Sequence, residues 1–408
     1  MNKEKLKRNK VIYYPYKVAK AAYRVTNKFY KFLYILKSSI NKNSKCLNVG
    51  FIVQMPEIWD KQIDVYKNLS ARENINVFLF VVPDYDYASD KVKEEYDNNY
   101  FIKKYPEAIK VVQNGKWLDL REYRLDYLFY PRPYDFYLPL EYRSYKMVKY
   151  CKCCYIPYGL TGSDNFDDTY LPFFDNIYCS FMESEYQMNL LKSHYKISTA
   201  MGIKKVYSLG YPAISRFLNF PKSNSIHTIA WTPRWSLDPI KGGSNFMNYY
   251  ADFIELVKNS DFHFIFRPHP MMFDELIKKG FIDKEFKQCF LNTLEENGVR
   301  FDINSPIEEI FKEADLLITD YSSIIPEYFV TEKPFIYCDA GIPLNKDYSE
   351  IVKFAYVAKN WGDVMSNIEN LNNNGDKFFE QKSKYIHNNF SLCLKSATLI
   401  ADKIISGV

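Results

Sequence analysis

After Lys45 the chain settles into short apolar runs separated by stretches of helical spacing. That alternation admits few folds other than βαβ units on a parallel sheet. Leu47 to Val53 and Val77 to Val82 read as buried strands flanking a helix from about Asp60 to Glu73. Tyr127 to Tyr130 is another strand, ending in Pro131-Arg132-Pro133, and Cys154 to Pro157 is the next. Val206 to Pro212 closes this half, and the polar stretch Pro221 to Ser225 reads as a linker. A second series has strands at His227 to Trp231, His263 to Arg267, Leu316 to Thr319 and Pro334 to Cys338. Its helices follow Asn245, precede Ala314 and follow Ser322, and two more near Trp361 to Leu371 and Leu392 to Ile405 finish the chain. With 408 residues, the chain has room for two domains. The expected fold class is α/β, two Rossmann-like doubly wound domains facing each other across a cleft. The expected divisions are a basic arm at 1–45, an acceptor-side domain at 46–220, a donor-binding domain at 221–390 and a C-terminal helix at 391–408.

Composition narrows the function class. Hydrophobic residues make up 47% and charged residues 25%, which excludes a disordered chain or a disulfide-stapled scaffold. The eight cysteines show no paired framework and follow no signal-peptide pattern, so a reduced, cytoplasmic compartment is expected. Cys151 and Cys154 form a C-x-x-C, but no second pair or nearby His completes a zinc set; they read as buried thiols, and no metal or cofactor is expected.

The first 45 residues hold thirteen Lys and Arg against Glu4 alone, a net +12, which leaves −7 for the rest of a chain whose total is +5. Val18, Ala21, Ala22, Val25, Phe29, Phe32, Leu33 and Leu36 recur there at helical spacing, with Lys17, Lys20, Arg24, Lys28 and Lys31 between them. This is the pattern of a basic amphipathic helix. It is too short and too interrupted to cross a bilayer, and suited to lying on an anionic inner leaflet. A solvated arm packed on its own body is the alternative. No nucleic-acid motif accompanies the charge, and no such partner is expected.

In open α/β sheets, ligands collect beyond the carboxyl ends of the strands. Two clusters lie there. Arg267-Pro268-His269-Pro270 sets a planar cationic fork and an imidazole at one strand end, suited to a departing pyrophosphate. Thr319-Asp320-Tyr321-Ser322-Ser323 takes a strand into two hydroxyl residues that can open a helix and bind a phosphate, with Glu327 one turn on to receive a ribose. Ser322 as a plain helix cap is the structural reading. Arg234, after Trp231-Thr232-Pro233, adds a cation.

R-P-H-P at 267–270, I-T-D-Y-S-S at 318–323, E-Y-F-V-T-E-K-P-F-I-Y at 327–337 and G-Y-P at 210–212 together resemble the CDP-glycerol glycerophosphotransferase family, the teichoic acid primases and polymerases. The resemblance runs from about Tyr155 to Tyr337. It implies a GT-B fold, a CDP-alditol donor held by the C-terminal domain, a lipid-linked or polymer acceptor in teichoic acid or capsule synthesis, and peripheral attachment to the inner face of the cell membrane. His269 matches the family's donor-side histidine; Asp320, Ser322 and Ser323 match its phosphate-binding loop; Glu327 stands where the family usually has Asp. The family's Trp-His-Gly-Thr-Pro, whose His is the acceptor base, corresponds to Ile156-Pro157-Tyr158-Gly159-Leu160-Thr161-Gly162-Ser163-Asp164, which lacks the His. Tyr158 is a poor base, and Asp164 or Asp135 is the replacement expected, Asp164 first. Two other functions fit the same features. One is a nucleotide-sugar GT-B glycosyltransferase for capsule or O-antigen assembly, and the other is a catalytically silent donor fold that binds membrane and partner enzymes.

Overall fold

The computed structural model describes residues 46–83, 85–86, 91–92, 99–113, 115–163, 171–218, 220–221, 225–238, 243–303 and 305–408, with positions 18, 22, 26, 29 and 33. The basic arm otherwise lies outside the described residues. Its five described positions, Val18, Ala22, Thr26, Phe29 and Leu33, are helical and exposed. Asp164 also lies outside them. Among the described residues no helix is long and apolar enough to cross a membrane.

The chain divides into two compact units, one of Met1–Tyr158, Asp168–Leu209 and Ser396–Val408, the other of Gly159–Asp167 and Gly210–Lys395. The first carries strands β1 (Leu47–Val53), β2 (Ile75–Val81), β3 (Ile109–Lys110), β4 (Tyr127–Tyr130), β5 (Lys152–Tyr155), β6 (Cys179–Met182) and β7 (Lys205–Ser208). They form one sheet in the order β7-β6-β5-β4-β1-β2-β3, and every neighbouring pair is parallel. Phe51 stacks on Phe129 across β1 and β4 at 4.6 Å, and Trp59 and Tyr66 meet Phe51 edge-on at 5.8 Å. The last residues join this unit through Arg72 to Asp402 at 3.0 Å and Thr398 to Asn68 at 3.0 Å.

The second unit carries β8 (Thr228–Thr232), β9 (His263–Phe266), β10 (Arg300–Phe301), β11 (Leu316–Thr319), β12 (Phe335–Cys338) and β13 (Tyr356–Ala358). Their order is β10-β9-β8-β11-β12-β13, again wholly parallel. The central strands are buried along their length, as a sheet covered by helices on both faces requires, and this is why they read as continuous apolar runs. Trp231 anchors the core, with the rings of Phe253, Phe266 and Phe246 at 4.5, 5.3 and 5.8 Å.

The units part at Leu209 and Gly210, eleven residues before the expected boundary at 220. The reason is packing: Phe217 places its ring 5.4 Å from Phe311 of the second unit. Gly210 makes the turn with φ +79°, and a Cβ there would come within 3.0 Å of the Cys393 backbone, so only glycine fits. The C-terminal helix spans Cys393–Ile405, and from Ser396 it belongs with the first unit rather than standing alone.

Candidate functional site

Both sheets reverse their winding once, and ligands favour the crevice at such a point. In the second unit the chain moves from β8 outward through β9 and β10, then returns to β11 on the other side of β8. Thr232 pairs with Thr319 in register, so the two strands end side by side. Beyond them lie Pro233-Arg234 and Asp320-Tyr321-Ser322-Ser323, two of the segments picked out in the sequence.

Asp320 ties these loops together. Its carboxylate is 1% exposed. One oxygen accepts from the Arg234 N–H at 2.8 Å, the Asn245 N–H at 3.2 Å and the Ser244 hydroxyl at 3.3 Å; the other accepts from Asn245 Nδ2 at 2.9 Å. Burial raises its pKa to about 6, the hydrogen bonds working against that rise. Expected to touch donor phosphate, Asp320 is placed instead beneath the crevice, fastening its walls. Asn245, marked in the sequence only as the point where a helix begins, and Ser244, which no pattern marks, are its partners. Asn245 also donates to the Cys338 carbonyl at 3.1 Å and so reaches the end of β12.

Arg234 presents its guanidinium from this frame. It packs 4.7 Å over the Tyr321 ring, and Nη1 donates to the Tyr321 carbonyl at 3.0 Å. Burial pulls its pKa down, though not from an ordinary value low enough to lose the charge at neutral pH.

His269 follows β9 and is reached by solvent. Its N–H donates to the Pro233 carbonyl at 3.1 Å, which joins the R-P-H-P turn to the Arg234 loop. Nδ1 accepts from the Met271 N–H at 3.2 Å, leaving Nε2 to carry the proton of the neutral ring. Desolvation by the surrounding protein and the charge of Arg234 press its pKa down to about 4. At neutral pH the ring is therefore a hydrogen-bond donor at Nε2 and very rarely an imidazolium.

Arg267, from the same motif, is committed elsewhere. Nη1 holds Asp302 at 3.1 Å, and Asp302 is buried, with Arg300 at 2.5 Å and the Ser305 N–H at 2.9 Å also on it. Glu327 is 3% exposed on the short helix Ile325–Phe329, turned from the solvent a ribose would occupy. Ser322 does not cap that helix, which starts at Ile325; its hydroxyl accepts from the Ile324 N–H at 3.4 Å. Ser323 is exposed. The structure thus sets Arg234, His269, Ser322 and Ser323 beyond the ends of the neighbouring strands β8, β9 and β11, with Asp320 buried among them, and engages Arg267 and Glu327 in the protein itself.

The first unit has its own reversal between β1 and β4. There Arg132 donates to Gln54 at 3.2 Å and lies 3.8 Å over the Tyr137 ring. Asp135, one of the two carboxylates considered as a base, accepts from the Ser144 N–H and hydroxyl at 2.7 Å each, so it holds the start of the helix Ser144–Met147. Tyr158 lies 3.3 Å from the Tyr134 hydroxyl. Cys151 and Cys154 are buried; a bond to Cys153 foremost for the first, and burial for the second, push their thiols well above the ordinary range, which makes them inert.

Residues 211–388 match the family model described as CDP-glycerol:poly(glycerophosphate) glycerophosphotransferase, in line with the resemblance its motifs carry. No curated protein matches the sequence. Among solved structures, the wall teichoic acid polymerase TagF with CDPG is similar at 14% identity and TM-score 0.56, over 94% of this chain and 98% of that one. The UDP-GlcNAc 2-epimerase from Neisseria meningitidis bound to UDP-GlcNAc is similar at 13% identity and TM-score 0.57, over 88% and 100%. A putative UDP-N-acetylglucosamine 2-epimerase from Listeria monocytogenes is similar at 10% identity and TM-score 0.55, over 89% and 96%. At these identities the likeness is one of fold, the GT-B fold of two Rossmann-like units.

Proposed function

We propose, on the CDP-glycerol:poly(glycerophosphate) glycerophosphotransferase signature across residues 211–388, that this chain is a transferase that moves glycerol phosphate from a CDP-linked donor to a teichoic-acid-like acceptor. The observation that carries this beyond the signature is the crevice beyond β8 and β11. There a neutral His269 with its proton on Nε2 sits beside the Arg234 charge, and Ser323 stands exposed beyond the end of β11. Such a set binds a diphosphate and steadies the charge that builds on a departing nucleoside monophosphate.

In the reaction the acceptor hydroxyl oxygen bonds to the phosphorus that bears glycerol. The bond from that phosphorus to the bridging oxygen breaks, and CMP leaves with the electron pair. The hydroxyl proton passes to a base. Asp164 is the candidate, since Asp135 is occupied by Ser144; a fully active Asp164→Asn enzyme would eliminate it. The direct test of the whole reading is CMP release by the full-length protein from CDP-glycerol in the presence of a glycerol-phosphate-primed acceptor. Release of nucleotide from sugar-linked donors alone would favour the glycosyltransferase reading, and binding without turnover the silent one.

The basic arm gives this reading a place to act, the inner face of the membrane where a lipid-linked acceptor is found. Each Lys or Arg near an anionic surface contributes about 1 kcal/mol, screened by salt. Deleting residues 1–45 is expected to lower partition onto anionic vesicles by at least about 10-fold at moderate salt while turnover of a water-soluble acceptor persists. Equal sedimentation of the two proteins would refute the membrane role.

A further inference from the structure

Between β5 and β6 of the first unit, the sequence contains a segment that groups with the second unit, Gly159–Asp167. Its described part is fastened at four backbone groups from Leu160 to Gly162 and at a bridge from Ser163. The Gly162 N–H donates to the Tyr321 hydroxyl at 3.1 Å. The Tyr348 hydroxyl donates to the Leu160 carbonyl at 3.1 Å and lies 3.4 Å from the Ser322 carbonyl. Asn345 donates from Nδ2 to the Thr161 carbonyl at 2.6 Å and from its N–H to the Gly162 carbonyl at 2.8 Å. Ser163 then bridges Leu344.

The two glycines explain how the strap comes so close. A Cβ on Gly162 would lie 2.4 Å from the Tyr348 ring, so only a bare backbone passes there. A Cβ on Gly159 would lie 3.9 Å from the Ser323 hydroxyl, so the main chain at Gly159 runs alongside that exposed side chain. Tyr321 and Tyr348 therefore reach both the strap and the Ser322–Ser323 turn, and they fix the distance between them.

We propose that the Gly159–Ser163 strap is a second wall of the donor diphosphate subsite, adjoining Ser323, and that Tyr321 and Tyr348 are positioning residues that hold the wall at its working distance. This rests on the reading of the crevice as a nucleotide site. At Gly159 no side chain stands between the main chain and a phosphate oxygen, and a loop tethered at its ends alone would not hold that approach open.

The test uses the full-length protein and CDP as probe, with titration calorimetry for affinity and thermal melting without ligand for stability. Tyr321→Phe and Tyr348→Phe keep the rings, whose centroids are 5.8 Å apart, and remove the hydroxyls. Each is expected to weaken CDP by about 3- to 10-fold and to lower the melting temperature by about 2–4 °C, the cost of one buried hydrogen bond in a unit of this size. Because both hydroxyls act on one strap, the double variant is expected to lose less than the product of the single losses. Unchanged CDP affinity in both variants, with wild-type protein binding CDP, would overturn the strap and leave the donor site standing. Weakening matched by a large drop in melting temperature would mark the two tyrosines as braces of the fold and overturn it as well. Wild-type protein that binds no CDP would remove the donor reading, and this inference with it.

Discussion

His269→Ala is expected to lower turnover at saturating donor by about 10²- to 10³-fold, the usual cost of removing one donor aimed at developing negative charge. The loss should fall on kcat, because the bond strengthens as CMP takes up charge and is weaker to the bound donor. The fold should survive. His269 is solvent-exposed, and the main-chain bonds that shape its turn, to the Pro233 carbonyl and from the Met272 N–H, do not need the ring. The pH profile separates this role from proton transfer. With a pKa near 4, the ring stays neutral from about pH 5.5 upward, so no inflection near 6.5 should come from it. The same depression has a stability consequence. The native state binds this proton less tightly than the unfolded chain, so the contribution is full above pH 6.5 and is lost as pH falls through about 4. Wild-type kcat in His269→Ala would make the residue structural, and an acid limb near 6.5 that vanishes in the variant would make it a proton carrier.

What the sequence made legible follows from burial. Leu47–Val53, Tyr127–Tyr130 and Leu316–Thr319 were each readable to the residue: the last two are buried throughout and the first from Val49 on, and strands covered on both faces are mostly apolar. Cys179–Met182 is equally buried but reads C-S-F-M, too short and too mixed to stand out. The edge strands Ile109–Lys110 and Arg300–Phe301 have two residues each and give no periodicity at all. The site was legible as a set of residue types at strand ends and illegible as a set of roles. Whether an Arg fork is open depends on a partner such as Asp302, 35 residues away from Arg267. Tyr348 lies 186 residues beyond Gly162, and no local pattern marks a hydroxyl that will reach that strap. Asn245 precedes the helix Phe246–Lys258, as its place in the sequence suggests, but its side chain bonds to Asp320 instead of capping that helix.

Asp320→Asn carries the second large expected effect, on stability first and on donor binding through it. All four groups on the carboxylate are donors: two backbone N–H groups, the Ser244 hydroxyl and Asn245 Nδ2. An amide supplies one acceptor and turns an NH₂ toward the rest. If the amide oxygen keeps Asn245 Nδ2, the N–H groups of Arg234 and Asn245 face another donor in a buried place; flipping the amide only moves the conflict. Each orphaned donor costs about 1–3 kcal/mol, offset in part by the relief of a buried charge, for a net loss of about 2 kcal/mol near pH 7. In a unit of this size that is a fall of about 4–8 °C in its melting temperature. The pH dependence has a definite sign. A carboxyl whose folded pKa is raised from 3.8 to about 6 contributes most below pH 4 and loses that contribution as pH rises through 6. The amide does not titrate, so the deficit of the variant should be larger at pH 5 than at pH 7.5. Donor affinity should fall with it, by more than about 10-fold, because Arg234 and the Ser244–Asn245 segment lose their common anchor at the strand end. A variant that melts with wild type at both pH values would show that Asp320 fastens nothing. One that melts lower yet binds CDP as wild type does would show that the walls of the crevice hold their places without it.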